Sequence, residues 1–221
     1  MRLWSDSFTD GSMIPEECAF AVIDPASHVR FSSNRNPHLA WDDVPAGTQS
    51  LVLLCRDIDA PTVGTDVNQE GRSVPAELPR ADFYHWVLVD IPLAMHSIAK
   101  GGFSELVTPH GKSGPQLPFT VKNGTEHQLR QGVNDYTGWF LSDPGMAGEY
   151  YGYDGPCPPW NDLRVHAYLF TMYALDIAEL PLPGRFTGQE VRQAIRGHIL
   201  DEAQIFGVYS LNPAIAPTLS E

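Results

Sequence analysis

The sequence has few cysteines and few basic residues. Its 221 residues include three cysteines, Cys18, Cys55 and Cys157, whose spacing fits neither a zinc motif nor a disulfide framework. We therefore predict reduced thiols in a reducing compartment. The 14 lysines and arginines stand against 27 aspartates and glutamates, which gives a formal net charge of −13. Negative charge repels phosphate backbones and anionic lipids, so nucleic acid and charge-driven membrane binding are disfavoured.

The sequence also lacks long apolar runs and several catalytic motifs. No stretch reaches the ~18 apolar residues that a membrane-spanning helix needs, and residues 1–18 are too polar for a signal peptide. Neither a complete Gly-Lys phosphate loop nor a Gly-x-Ser-x-Gly nucleophile turn is present. We predict a soluble, cytoplasmic protein, and no motif predicts a cofactor or a bound metal.

Glycine, proline and short apolar runs are what the sequence has instead. It contains 19 glycines and 19 prolines, which is typical of a chain with many turns. Apolar runs at 48–56, 85–91 and 167–175 are bounded by proline, glycine or aspartate, and weaker runs lie at 20–23 and 29–31. Periodicity alone would also allow buried helices, but the lengths and flanking residues favour strands. The fold class predicted is mostly β.

The sequence shows no clear domain boundary, and it predicts a long region with little regular structure. We predict one domain over residues 1–221, with a flexible tail at residues 209–221. Residues 101–164 are rich in glycine, proline, asparagine and aspartate, which predicts long loops packed against the body by their aromatic side chains.

One helix is predicted near the C-terminus. Thr187 and Glu190 have the spacing of a capping box. Apolar residues then recur at helical spacing from Val191 to Phe206, and Gly207 is a suitable stop. The pattern is typical of a helix that packs one apolar face on a sheet.

Acidic and imidazole side chains stand at the ends of the predicted strands. Asp57 and Asp59 follow the first run, and carboxylates at i and i+2 share a face if the strand continues. The alternative is a turn in which these side chains accept backbone N–H groups. His85 opens the second run, where it is either a ligand contact or a core histidine bonded to a neighbour.

A rigid loop precedes the third run. It reads Gly-Tyr-Asp-Gly-Pro-Cys-Pro-Pro over 152–159, and such a loop either makes a simple turn or aims N–H groups at an anion. His166 and Tyr168 follow it and share one face of a strand. If the three strand ends converge, they form a pocket of acids, imidazoles and rigid backbone that suits a phosphate or carboxylate.

These motifs, in this order, resemble the phosphatidylethanolamine-binding proteins, also called Raf-kinase-inhibitor-like proteins, and their bacterial branch in particular. The most specific are Asp-x-Asp-Ala-Pro at 57–61 and Gly-x-x-Gly-Pro-x-Pro-Pro at 152–159 followed by His166. Further matching segments are 34–41, 44–48, 85–92, 131–135, 166–175 and 197–200. The likeness extends over roughly residues 30–209.

The resemblance implies a fold and a site. The fold is a β-sandwich with a large antiparallel sheet, a smaller sheet and peripheral helices. Members of the family bind phosphate-like and acetate-like anions and phosphoethanolamine head groups. Carried over by position, the ligand-binding residues are Asp57 and Asp59 as the acidic wall, His85 and His166 as ligand contacts, Gly152, Gly155 and Pro156 in the loop, and Tyr168 as a flanking wall. The resemblance also implies a cis bond between Ala60 and Pro61.

The sequence departs from the family pattern at three places. Ile58 stands where proline is common, which implies a less rigid turn. Ala167 stands where many relatives carry arginine, and the lost cation would weaken anion binding or change the ligand. Residues 136–151 are longer than in compact relatives and would cover or reshape the pocket.

The function predicted is non-catalytic binding of a small anion or phosphorylated head group. One alternative is a protein-interaction regulator, like the kinase-inhibiting relatives, although the sequence names no protein partner. Another is a weak hydrolase that uses Asp57, His85 and His166 as an acid–base set or as metal ligands, with Cys157 as the thiol nearest the site. A homodimer is consistent with the bacterial branch.

Overall fold

The computed structural model describes residues 1–120, 124 and 126–216. Within these residues the chain is built mainly of short and long strands. The strands are β1 (Arg2–Trp4), β2 (Ala21–Asp24), β3 (His28–Phe31), β4 (Leu39–Asp42), β5 (Ser50–Pro61), β6 (Arg80–Ile91), β7 (Ser97–Ile98), β8 (Gly111–Lys112), β9 (Gln116–Thr120), β10 (Glu126–Gln131), β11 (Glu149–Tyr150), β12 (His166–Leu175) and β13 (Ile199–Tyr209). The helices are α1 (Tyr136–Trp139) and α2 (Gly188–Ala194), and a 3₁₀ turn lies at Glu16–Cys18.

Six strands form the main sheet in the order β13-β12-β5-β6-β10-β9, and each neighbouring pair is antiparallel. The three long apolar runs predicted as strands become β5, β6 and β12. These three strands are inside the sheet rather than at its edges, and their middle segments, 51–55, 86–89 and 172–175, are buried and apolar. The prediction that they are buried strands is confirmed.

Smaller sheets complete the architecture. Strands β1, β4 and β7 form a three-stranded sheet, β2 and β3 form a hairpin, and β8 and β11 form a short parallel pair. The weak runs at 20–23 and 29–31 correspond to that hairpin. The prediction of a mostly β fold with one large antiparallel sheet and a smaller one is confirmed.

The main sheet separates two apolar layers. Alternate residues of β5 enter different layers: Leu53 and Cys55 join the larger cluster, whereas Val52 and Leu54 join the smaller one. Helix α2 covers the smaller layer through Val191. Because apolar side chains fill both faces of the sheet, we look for a polar site at an end of the sandwich, where the strands leave the packed interior.

The predicted helix is right at its start. Thr187 Oγ1 accepts a hydrogen bond from the Glu190 backbone at 3.3 Å, and the Glu190 carboxylate accepts one from the Thr187 backbone at 2.8 Å. This capping box satisfies two N–H groups that a helix leaves unpaired at its first turn.

The predicted continuation of that helix to Gly207 is wrong. The helix ends at Ala194, Gly197 takes a φ of +82°, and the chain returns as β13 along β12. Near its end β13 buries Ile205 and Tyr209, which are four residues apart and fit strand alternation as well as helical spacing. The main sheet needs an edge strand here, so long-range pairing overrides the local pattern.

Two irregular regions are more ordered than predicted. Residues 101–164 contain β8 to β11 and α1, and β9 and β10 extend the main sheet. The tail predicted at 209–221 is wrong for its first part, because Tyr209, Leu211 and Asn212 are buried. Asn212 Nδ2 donates to the Asp162 carbonyl at 2.8 Å, which ties this segment to the body. Residues 217–221 lie outside the described residues.

The one cis peptide bond among the described residues is not at the expected place. The bond between Ala60 and Pro61 is trans, contrary to expectation, because both residues continue β5 and pair with β6. A cis bond occurs instead between Gly114 and Pro115.

In the described part of the chain, no helix has the length and apolar character required to traverse a bilayer.

Candidate ligand-binding site

The three central strands bring the predicted polar residues to one end of the main sheet. Asp57 on β5 lies directly opposite Tyr168 on β12. The ring of His85 on β6 contacts the Tyr168 ring, with centroids 5.1 Å apart. All three residues are buried, so this cluster is built into the fold rather than displayed on a loop.

A β-bulge gives His85 its direction. Along β5 the residues Cys55 and Arg56 are consecutive, but their partners on β6 are Trp86 and Tyr84, so His85 has no direct partner. A bulge of this kind places an extra side chain where regular alternation would not. His85 consequently joins the aromatic side chains of the larger layer.

Aromatic rings surround His85. Phe83, Tyr136 and Tyr168 have ring centroids 5.0, 5.4 and 5.1 Å from that of His85. We call these four residues the His85 cage. Phe83 is only half-buried, so its ring is the part of the cage that reaches the surface. Tyr136 belongs to α1, so the start of the segment 136–151 contributes one ring of the cage.

The protonation of His85 follows from its neighbours. Its Nδ1 lies 2.7 Å from the Asp154 carbonyl oxygen. A carbonyl only accepts, so Nδ1 carries a proton. Burial lowers the pKa of His85, although the Asp57 carboxylate and the Asp154 carbonyl oppose this. At neutral pH the ring is therefore uncharged, and Nε2 presents a lone pair.

The hydroxyl of Tyr168 is a buried donor without a hydrogen-bonding partner among the described residues. Burial raises the pKa of Tyr168 well above 10, and the Asp57 carboxylate, which lies close enough to interact with the hydroxyl, adds to the effect. The hydroxyl therefore keeps its proton. A buried polar group left unpaired is costly and rare, so it marks a place where a ligand atom or water would be stabilising.

His166 is in the opposite situation, because both of its ring nitrogens are occupied. Nδ1 lies 2.7 Å from Asp57 Oδ2, and Nε2 lies 3.0 Å from Asp162 Oδ2. Burial acts to lower the pKa of His166, but the Asp57 and Asp162 carboxylates outweigh it and raise the pKa to about 9. The ring is an imidazolium held between two carboxylates, and neither N–H is left for a ligand.

Other ion pairs complete a group that we call the His166 cluster: Asp57, Asp59, Asp162, Arg80, Arg164 and His166. Arg80 contacts both oxygens of Asp162 at 2.6 and 3.0 Å and is almost fully buried. Arg164 Nε lies 2.7 Å from Asp59 Oδ1, and the other Asp59 oxygen accepts from the Ala167 backbone at 2.9 Å. The two predicted acids thus face different partners.

The glycine- and proline-rich loop is fixed by Asp154. Its carboxylate accepts from the side-chain amides of Asn34 and Asn134 at 2.7 and 2.8 Å and pairs with Lys112 at 3.0 Å. Two asparagines from distant segments therefore bind the side chain of Asp154, and the backbone carbonyl of the same residue positions His85.

The glycines of this loop allow close packing. Gly152 has a φ of +83°, and a Cβ atom on Gly155 would lie 2.1 Å from the Cys18 carbonyl oxygen. The N–H of Gly155 donates to Asn34 Oδ1 at 2.8 Å, and that of Asp154 to the His85 carbonyl at 3.0 Å. The loop therefore uses these two N–H groups internally, which agrees with the simple-turn alternative for these two positions.

Sequence reasoning brought Asp57, Asp59, His85, His166 and Tyr168 into one neighbourhood, and the structure does place them together. The residues it missed are those that complete the two environments: Asp154 and Asp162 as hydrogen-bond acceptors, Arg80 as a buried cation, and Phe83 and Tyr136 as cage walls. Of these residues, only Asp154 could have been found from the sequence, because it lies inside the glycine- and proline-rich motif.

Histidines and aspartates cluster at this end of the sheet, as they do in many metal sites. Across the ranges that the structure describes, no group of three or more histidine, cysteine, aspartate or glutamate side chains is arranged to hold a metal ion. At His166 the reason is direct, because each ring nitrogen already faces a carboxylate.

Comparison with known proteins agrees with this fold and these motifs. The family model described as phosphatidylethanolamine-binding protein matches residues 4–210, and the chain therefore belongs to that family. It is 30% identical over 210 residues to the UPF0098 protein YbhB of Escherichia coli, covering 95% of this chain and all of the relative. A UPF0098 protein of Aquifex aeolicus is 29% identical over 209 residues, covering 95% and 88% of the two chains.

Solved structures show the same fold. The crystal structure of Escherichia coli YbcL, titled a new member of the mammalian family, matches with a TM-score of 0.63 at 23% identity and covers 95% of this chain and 97% of that one. The homolog CT736 of Chlamydia trachomatis matches with a TM-score of 0.59 at 23% identity and covers 95% and 96%. At these identities the likeness is one of fold.

Proposed function

We propose that the protein binds a small anion or phosphorylated head group in the His85 cage and does so without catalysing a reaction. The observation that carries the proposal is the Tyr168 hydroxyl, a buried donor with no hydrogen-bonding partner among the described residues. Its ring centroid lies 5.1 Å from that of His85, whose Nε2 makes no hydrogen bond to those residues either. An oxyanion oxygen placed between them would accept from the hydroxyl and regain a hydrogen bond that the protein does not supply.

The roles of the predicted ligand-binding residues divide accordingly. His85 and Tyr168 would contact the ligand. Asp57 and Asp59, with His166, would hold the strand ends in register through the His166 cluster. Gly152, Gly155 and Pro156 would shape the loop that carries Asp154.

A hydrolase is the weaker candidate. Burial raises the pKa of the Cys157 thiol to about 12, so little nucleophilic thiolate is present near neutral pH. The imidazolium of His166 has no free lone pair, which removes it as a general base.

Calorimetric titration with phosphoethanolamine and inorganic phosphate tests the proposal. We expect saturable binding to the wild-type chain and at least tenfold weaker binding to His85→Ala, since a lost hydrogen bond to a charged group costs roughly 1.5–3 kcal/mol. His198→Ala is the matched control, because His198 pairs with Asp176 at 2.8 Å on the exposed surface. Equal affinity of wild type and His85→Ala, or no binding at millimolar ligand, would overturn the assignment.

The cellular compartment and the oligomeric state can also be proposed. We infer a cytoplasmic protein because Cys18, Cys55 and Cys157 are all free thiols. Cell fractionation checks this, and recovery in an oxidising compartment would contradict it. Sedimentation velocity tests the expected homodimer, and a single monomeric species at micromolar concentration would contradict that expectation.

A further inference from the structure

The His85 cage lies in a neighbourhood with no surplus positive charge. Asp57, Asp59 and Asp162 are matched by His166, Arg164 and Arg80 at 2.7, 2.7 and 2.6 Å. Asp154 is likewise matched by Lys112 at 3.0 Å. An anion that entered this group unaccompanied would therefore be buried without a counter-charge, which is strongly unfavourable.

His85 is the group that can supply the missing charge. Its Nδ1–H is committed to the Asp154 carbonyl, so the ring can accept a second proton only at Nε2. The groups that face the ring are the Asp57 carboxylate on β5, the Asp154 and Gly155 carbonyls of the loop, and the hydroxyl-bearing rings of Tyr136 on α1 and Tyr168 on β12. The charges of the Asp57 and Asp154 carboxylates and the two carbonyls favour an imidazolium, and burial alone opposes it.

We propose that an oxyanion enters the His85 cage only together with one proton, held on Nε2 of His85 or on the ligand oxygen facing it, so that the site selects singly charged oxyanions over permanent dianions. This inference rests on the proposed function and specifies its ligand class. With that proton bound, a monoanion makes the group neutral. A dianion leaves one uncompensated negative charge beside Asp57.

Methanesulfonate and sulfate are suitable probes, because both are tetrahedral, neither titrates between pH 6.5 and 8.5, and they differ by one charge. Calorimetry in two buffers of different ionisation enthalpy counts the protons taken up. We expect the affinity for methanesulfonate to fall about tenfold per pH unit, with close to one proton bound per anion. Sulfate should bind at least tenfold more weakly than methanesulfonate.

His85→Gln is the decisive variant, because its amide reaches the position of Nε2 and donates a hydrogen bond but does not titrate. It should bind methanesulfonate with the same affinity at pH 6.5 and 8.5 and without proton uptake. His166 titrates in both the wild type and His85→Gln, so a difference between them in pH dependence or proton uptake is due to His85. Tyr84→Phe is the control for folding and handling, since Tyr84 lies in the smaller layer.

The outcomes separate the two proposals. Binding of methanesulfonate that is independent of pH and takes up no proton would overturn the proton linkage and leave the anion site standing. Sulfate binding as tightly as methanesulfonate would overturn the charge selectivity. If phosphoethanolamine alone binds, its proton count in the same two buffers decides the linkage. No binding of any of these ligands would overturn both proposals.

Discussion

The two buried histidines at this end of the sheet have opposite environments. His85 is uncharged, contacts three aromatic rings and has one ring nitrogen open. His166 is charged, and carboxylates occupy both of its nitrogens. Both lie near Asp57, yet burial dominates the pKa of one and the paired carboxylates dominate that of the other.

This contrast separates a structural histidine from a ligand-binding one. A polar group whose bonding capacity is satisfied within the protein contributes to stability and specificity of the fold. A group with capacity left over is where a ligand gains affinity. Under the proposed function, the His166 cluster maintains the fold and the His85 cage would bind the ligand. The following experiments test that division.

The largest effect should come from Asp162→Ala. This substitution leaves Arg80 and His166 as buried cations without their shared carboxylate, which costs about 3–5 kcal/mol of unfolding free energy. Urea denaturation measures the loss. The matched control is Asp176→Ala, because Asp176 and His198 form an exposed pair whose removal should cost less than ~1 kcal/mol. Similar losses in the two variants would contradict a structural role for the His166 cluster.

Stability should depend on pH through His166. Its folded pKa, about 9, lies above its unfolded value, so its contribution is complete below pH 6.5 and disappears as pH rises through 9. The shift corresponds to about 3 kcal/mol of unfolding free energy. Urea denaturation of wild type and His166→Gln from pH 6.5 to 9 isolates this term, because the buried thiols titrate alike in both. Parallel pH profiles would refute the assignment.

Tyr168→Phe should weaken phosphoethanolamine binding about tenfold without loss of stability, because the hydroxyl has no hydrogen-bonding partner among the described residues. Tyr84→Phe removes another buried hydroxyl that has no hydrogen-bonding partner among the described residues, in the smaller layer, and provides a close control. We expect unchanged affinity in that variant. A large loss of stability in Tyr168→Phe alone would mean that its hydroxyl is bonded within the protein.

The smallest effect should come from Ala167→Arg, which introduces the arginine that the family resemblance leads one to expect at this position. Neighbouring residues of β12 point to opposite faces, so the new side chain would leave the sheet on the side away from Tyr168. We expect the affinity for phosphoethanolamine to stay within about twofold in calorimetry, in line with a charge screened by solvent. A tenfold gain would show that a cation at residue 167 does reach the His85 cage.

How much could be predicted from the sequence differs between strands and site. The runs that become β5, β6 and β12 could be recognised because strands covered on both faces are apolar throughout. The second half of the predicted helix could not, because Ile199, Ala203 and Phe206 continue the helical spacing and only pairing with β12 makes this segment a strand.

By itself the sequence determined the fold class, the family and the set of polar residues gathered at one end of the main sheet, because apolar runs and motif order are local properties of the chain. The tertiary structure alone decided which histidine is charged. A bulge that leaves His85 unpaired turns it into the aromatic cage, and Asp162, four residues before His166, folds back onto its second nitrogen. Charge state depends on what lies within a few ångströms in space, and that distance is set by the packing of strands far apart in sequence.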